Sequence, residues 1–185
     1  MEQYYREYPL FSLCGLNCGL CPRYHTQGES KCPGCGGEDF NKKHPSCAVI
    51  NCNKKHDNVH FCYMCSSYPC GKYLSNDKDS FITYKNVTKD FNFAQKEGVN
   101  NYIKILNEKI IILEFLLNNY NDGRRKNFYC LAVNLLNLED LIDIVDEIKN
   151  NISRQEIKHN EKINLIIDLL TKKADKRKIE LKLRK

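Results

Sequence analysis

Ten cysteines lie between Cys14 and Cys70, in a stretch with few apolar runs. A segment this small and this poor in Val, Ile and Leu cannot fold on burial alone, so something must staple it. The eleventh cysteine, Cys130, stands by itself much further along the chain. The first question is therefore what joins the ten thiols: disulfides, metal ions or an iron–sulfur cluster.

The opening "MEQYYREYPLFSLC" has acidic residues, a proline and no apolar run of the signal-peptide kind, so a cytoplasmic protein is expected. In a reducing compartment clustered cysteines are metal ligands or catalytic groups rather than bridges. The longest apolar run, "IIILEFLL", is broken by Glu114 and falls short of a membrane span, so no membrane partner is expected.

Three pairs have the C-x2-C spacing of a metal knuckle: Cys18 with Cys21, Cys32 with Cys35, and Cys62 with Cys65. Two intervening residues let both thiolates face one ion. Gly34 and Gly36 in "CPGCGG" permit the tight turn this requires. Zinc takes four ligands in a tetrahedron, so two knuckles make one site, simplest as Cys18, Cys21, Cys32 and Cys35. Cys14 is left over in the first half. The second half offers Cys47, Cys52, Cys62, Cys65 and Cys70, one more than a second site needs. Ten thiols fit two sites with two spare, or three sites if His25, His44, His56 or His60 contributes. His60 reads more simply as an exposed loop residue. The expected cofactor is zinc, two to three ions.

The spacing C-x3-C-x2-C of Cys14, Cys18 and Cys21 is also that of radical S-adenosylmethionine enzymes, and "GGE" occurs at Gly36 to Glu38. Those enzymes resemble partial α/β barrels, which nothing in this chain could form, and these glycines already serve a knuckle. A plain four-thiolate iron–sulfur cluster uses the same ligands as zinc and stands as the alternative.

"CGLNCGLCPRY", "CPGCGG", "CAVINC", "CYMCSSYPC" and "YNDGRRKNFYCLAVNLL" together resemble a cysteine-rich bacterial and archaeal family catalogued as domain of unknown function 3795. The resemblance spans most of residues 10 to 140. It implies that the ten cysteines from Cys14 to Cys70 are family positions and that the module binds zinc. It implies no activity.

Composition divides the chain into a cysteine-rich metal-binding module over 1–74 and a helical domain over 75–185. The expected fold class is mainly α: an irregular, zinc-stapled N-terminal module followed by antiparallel helices. Only short strands are expected in the cysteine-rich module, such as "PLFSL" before Cys14. Val99, Tyr102, Leu106, Ile110, Leu113, Leu117 and Tyr120 recur at helical period. "NYNDGRRKN" should stop that helix, "FYCLAVNLL" reads as a short buried one, and Asn137 as the N-cap of a third carrying Leu138, Leu141, Ile142, Val145 and Ile148. Ser153 with Glu156 has the spacing of a capping box for a last helix from about 154. Cys130 is expected to be a small buried hydrophobe. Arg124, Arg125 and Lys126 suit an anion at a helix start, or pairing with nearby acids.

Residues 1–72 hold eight Lys/Arg against six Asp/Glu, and two four-thiolate zinc sites would turn that balance negative. Sequence-specific nucleic-acid binding is therefore not expected. The positive charge gathers in "KKADKRKIELKLRK", which reads as a basic helix end. A filled zinc tetrahedron has no open position for catalysis, which favours a non-enzymatic binding or regulatory module acting on a protein or small ligand. The alternative is an iron–sulfur or thiol-based redox protein. Oligomeric state is not legible.

Overall fold

Phe91 is the hub of the aromatic core in the first of two compact units. The computed structural model describes residues 4–44, 46–74 and 78–185. The units are Met1–Leu106 with Leu183–Lys185, and Asn107–Lys182. The Phe91 ring is fully buried among Phe11 at 5.8 Å, Tyr63 at 5.0 Å, Tyr68 at 5.8 Å and Tyr73 at 6.3 Å. Phe11 also packs on Phe61 at 5.1 Å and on Tyr102 at 4.5 Å. A stretch short of aliphatic residues thus buries aromatic surface instead, at large area per residue.

Among the described residues the fold is mainly helical and contains no strand. The short helices α1 (Phe40–Lys43), α2 (Ala48–Asn53) and α3 (Gly71–Leu74) punctuate an irregular cysteine-rich segment. They are followed by α4 (Val87–Glu97) and α5 (Val99–Tyr120), which supply Phe91 and Tyr102. The strand expected at "PLFSL" does not form, because its backbone is engaged elsewhere. The Pro9 carbonyl accepts from Cys35 N–H at 2.7 Å, that of Leu10 from Gly19 at 3.1 Å, and that of Leu13 from Cys62 at 2.9 Å. Residues 6–13 are therefore a rail to which all three knuckle regions are bonded, with Phe11 and Leu13 turned into the core.

A buried polar link adds to this packing. Asn17, one residue before Cys18, donates to Asp90 Oδ2 at 2.9 Å and accepts from the Tyr102 hydroxyl at 2.8 Å. All three residues are buried, so each bond forms in a medium where an unpartnered group would be expensive. The first unit also holds the end of the chain. Asp79 is enclosed and accepts from Arg184 through its backbone N–H at 2.8 Å and Nη2 at 2.9 Å, and from Tyr84 N–H at 2.8 Å.

The second unit contains the remainder of α5, then α6 (Lys126–Leu135), α7 (Leu138–Asn150) and α8 (His159–Lys176). α5 ends where the turn formers stand: Asn121 Oδ1 accepts from Gly123 N–H at 3.1 Å, and Gly123 has φ of 84°. Cys130 is buried on α6, as a small hydrophobe would be. Two stripe positions differ from expectation. Leu116 rather than Leu117 is fully buried on α5, and Ile144 rather than Ile142 on α7. Asn137 is the N-cap residue of α7, although its side chain makes no capping bond. The last helix begins at His159, not near 154. Ser153 Oγ is instead engaged with the Tyr120 hydroxyl at 2.7 Å, and Glu161 accepts from Lys158 N–H at 3.3 Å. The basic segment is partly neutralised: Arg177 binds Asp140 through two bonds of 2.8 Å, and Lys172 pairs with Asp168 at 2.6 Å.

Two outcomes follow. Phe91→Ala removes the hub ring and is expected to lower stability by about 3–5 kcal/mol in denaturant unfolding. Acid should also destabilise the fold. The Arg177 bonds hold the Asp140 carboxyl below its usual range. Burial pushes Asp79 up, but Arg184 and two backbone N–H groups outweigh it, and the net shift is downward. Both carboxyls therefore contribute stability that is present above an unfolded pKa of about 3.9 and lost as pH falls through the lower folded values. Thermal unfolding followed from about pH 5 down to about pH 2 should show this loss, and Asp140→Asn should reduce its extent.

Candidate metal centre

Two of the three knuckles share one local structure. Cys18–Leu20 and Cys62–Met64 are single 3-10 turns, each closed by the N–H of the second cysteine on the carbonyl of the first at 3.1 Å. In each, a tyrosine three residues on donates its N–H back to the second cysteine's carbonyl at 3.0 Å: Tyr24 to Cys21 and Tyr68 to Cys65. The third knuckle, Cys32 to Cys35, turns at Pro33–Gly34, with Gly34 at φ of 85°. A Cβ on Gly34 would come 2.5 Å from the Pro9 carbonyl oxygen, the acceptor for Cys35 N–H. Glycine is needed there for both its conformation and its lack of bulk.

These loops enclose two cavities in the first unit. The larger, about 400 Å³, is lined by Cys14, Cys18, Cys21, Cys32, Cys35 and Cys47. The smaller, about 100 Å³, is lined by Cys52, Cys62, Cys65 and Cys70. Each of the ten thiols thus borders one of the two cavities. The division cuts across sequence order, because Cys47 joins the first-half cysteines. The cause is α2. Cys47 is its N-cap residue and Cys52 follows five residues later, about 140° further round the axis, so the two leave the helix toward different sides. Val49 lies between them and lines both cavities.

Burial raises the pKa of five of these thiols, Cys14, Cys18, Cys21, Cys35 and Cys62. Burial, followed by the neighbouring Cys35, Cys14, Cys21 and Cys32, pushes the Cys18 thiol well above its ordinary range. Burial pushes Cys35 up to about 12 and Cys62 to about 11, the latter tempered by a hydrogen bond from Tyr73. Cys14 is raised too, by burial, although Ser12 Oγ at 3.1 Å lowers it in part. None of the eleven cysteines is in a disulfide. Among the described residues no group of three or more His, Cys, Asp or Glu side chains converges on one metal-ligating point.

The donor chemistry nonetheless fits a thiophilic ion. Among the described residues no carboxylate lines either cavity, while Arg23 and Lys43 line the larger one and Lys72 the smaller. Sulfur donors without hard oxygen ligands select zinc, Cu(I) or iron–sulfur centres over calcium or magnesium. Of the histidines, His44 borders the six-thiol cavity and His56 the four-thiol cavity. His25 engages the Gly19 carbonyl at 2.8 Å, and His60 is exposed and borders neither. Several contributors carry no motif in the sequence: the Tyr73 hydroxyl, which donates to the Cys14 carbonyl at 3.3 Å, Ser12 beside Cys14, and Asn17 behind Cys18. Only their closeness to cysteines could have pointed to them. At the other candidate site Arg125 pairs with Asp122 at 3.5 Å.

Residues 10–75 match the model of a family described as a protein of unknown function, DUF3795. The match takes in all ten clustered cysteines and stops short of the later motif around Cys130. No curated protein matches the chain, and no solved structure does. Among the described residues no helix is long and apolar enough to cross a membrane.

Gly34→Ala should test this local architecture. A strained left-handed residue and a clash with the rail are expected to lower stability by about 1–3 kcal/mol and to reduce bound metal. Gly71→Ala, where a Cβ meets nothing within 4 Å, should change neither. Denaturant unfolding and metal content of the two variants check this.

Proposed function

We propose that this chain is a zinc-binding protein whose ions are structural, and that its role is non-enzymatic binding or regulation. One observation carries the reading. The ten cysteines distribute without remainder over two cavities that no carboxylate lines among the described residues. The smaller cavity offers the four thiols of one closed tetrahedron, Cys52, Cys62, Cys65 and Cys70. Cys14, Cys18, Cys21, Cys32, Cys35 and Cys47 would hold metal in the larger. Bound zinc supplies charge compensation, which lets buried thiols lose their protons. The chain's own residues do the rest. The 3-10 turns place one cysteine pair on the wall of each cavity, Ser12 Oγ lies 3.1 Å from Cys14 Sγ, and the Tyr73 hydroxyl donates to the Cys14 carbonyl at 3.3 Å.

A second reading, an iron–sulfur or thiol-redox protein, is favoured by the same larger cavity. It has two more thiols than one four-coordinate ion uses. Protein purified anaerobically should be colourless and contain zinc. Brown protein containing iron would replace the first reading with the second. Stripping the zinc should collapse proton NMR dispersion from the cysteine-rich segment, because metal-binding energy there is folding energy. Unchanged dispersion after chelation would show that the ions are not structural.

A further inference from the structure

The two thiol cavities differ in how they are walled. The larger takes four of its lining residues, Ser80, Phe81, Ile82 and Tyr84, from a strap that lies beyond the last clustered cysteine and contains no cysteine itself. Among the described residues, none of this strap lines the smaller cavity.

The strap is fastened at two points. At its root the Asp79 side chain is fully enclosed and closes a turn, accepting from Tyr84 N–H at 2.8 Å and from Thr83 Oγ1 at 3.3 Å. The same carboxylate accepts from Arg184 through the backbone N–H at 2.8 Å and Nη2 at 2.9 Å. Asp79 N–H in turn donates to the Arg184 carbonyl at 2.9 Å. At its crest Phe81 is exposed, and the Arg23 guanidinium lies over its ring, 4.4 Å from the centroid. Arg23 belongs to the knuckle side of the cavity: it stands two residues after Cys21, and its carbonyl accepts from Cys32 N–H at 3.1 Å. The knuckles themselves are tied to the rail and to a buried aromatic core. The strap depends instead on an exposed cation–π pair and on an arginine side chain that is 34% exposed. Contacts of that kind release at lower cost than a packed core.

We propose that residues 79–84 are a gate to the six-thiol cavity, latched by Arg184 on Asp79 and by Arg23 on Phe81. Opening the gate exposes the six thiols, and admits or releases a thiophilic ion, without disturbing the four-thiol cavity. What passes the gate rests on the metal-binding reading above; access to the thiols is a property of the chain itself. The two cavities then exchange their contents independently.

The test is alkylation by N-ethylmaleimide of full-length, zinc-loaded protein under native conditions, resolved cysteine by cysteine by peptide mass mapping. Zinc release to a chromophoric chelator is followed alongside. Arg184→Ala removes the side-chain part of the latch and keeps its backbone bonds. It is expected to speed alkylation of the six thiols of the larger cavity roughly tenfold, as loss of a charge-assisted contact from the closed state would. Phe81→Ala should speed it about threefold, as loss of an exposed cation–π pair would. In both variants the four thiols of the smaller cavity should keep their wild-type rates, and Arg184→Lys should stay closer to wild type than Arg184→Ala. Each variant reads the gate by itself, so loss of fold in one leaves the other decisive. Equal acceleration of all ten thiols would mean general destabilisation and would overturn the gate, as would unchanged rates in both variants. Selective acceleration in a chain that retains no zinc would overturn the metal-binding reading and leave the gate standing. Zinc retained without selectivity would do the reverse.

Discussion

Thiolates repel one another, and burial penalises each of them further. That constraint governs the cysteine-rich half of this molecule. Burial raises the Cys18 and Cys35 thiols, and the other sulfurs of the same cavity raise Cys18 further. A divalent ion, as proposed above, would reverse the balance by giving these sulfurs a common counter-charge. The segment can then gain from metal binding what its scarcity of aliphatic residues denies it.

The polypeptide prepares for this with little regular structure. The rail formed by residues 6–13 bonds to Gly19, Cys35 and Cys62 through successive carbonyls, which sets the three knuckle regions side by side before any ion is considered. Behind the rail, rings from Phe11, Phe61, Phe91 and Tyr102 exclude water. The Asn17 bonds to Asp90 and Tyr102 fasten the first knuckle to α4 and α5. Asp79 draws the last residues of the chain onto the same unit. Within the basic sequence "KKADKRKIELKLRK", Lys172, Arg177 and Arg184 are each paired with a carboxylate.

What could be read from the sequence was what depends on local spacing. Three C-x2-C pairs, glycines in a tight turn, the stop after Tyr120 and the helical stripe of α5 all rest on contacts within a few residues. The division of the cysteines did not. Cys47 and Cys52 sit in one short motif, and only the winding of α2 sends them to different cavities. "PLFSL" has the alternation of a strand, and Phe11 and Leu13 do face the core. Its carbonyls, however, are taken by turns distant in sequence, which no local pattern announces. Ser153 was misleading for a similar reason, since its hydroxyl is engaged by Tyr120 rather than by a helix start. Composition marks where the cysteines end; it does not reveal that Phe91 and Tyr102, well beyond them, close their core.

The central claim is that metal ions occupy the two cavities and hold the ten clustered thiols. Counting alkylated cysteines by mass spectrometry tests it most directly, on anaerobically purified full-length protein, before and after a strong chelator. The account expects the cysteines from Cys14 to Cys70 to resist alkylation in the native protein and to react together once the metal is removed. Ready alkylation of these cysteines in folded protein, with no change on chelation, would contradict it.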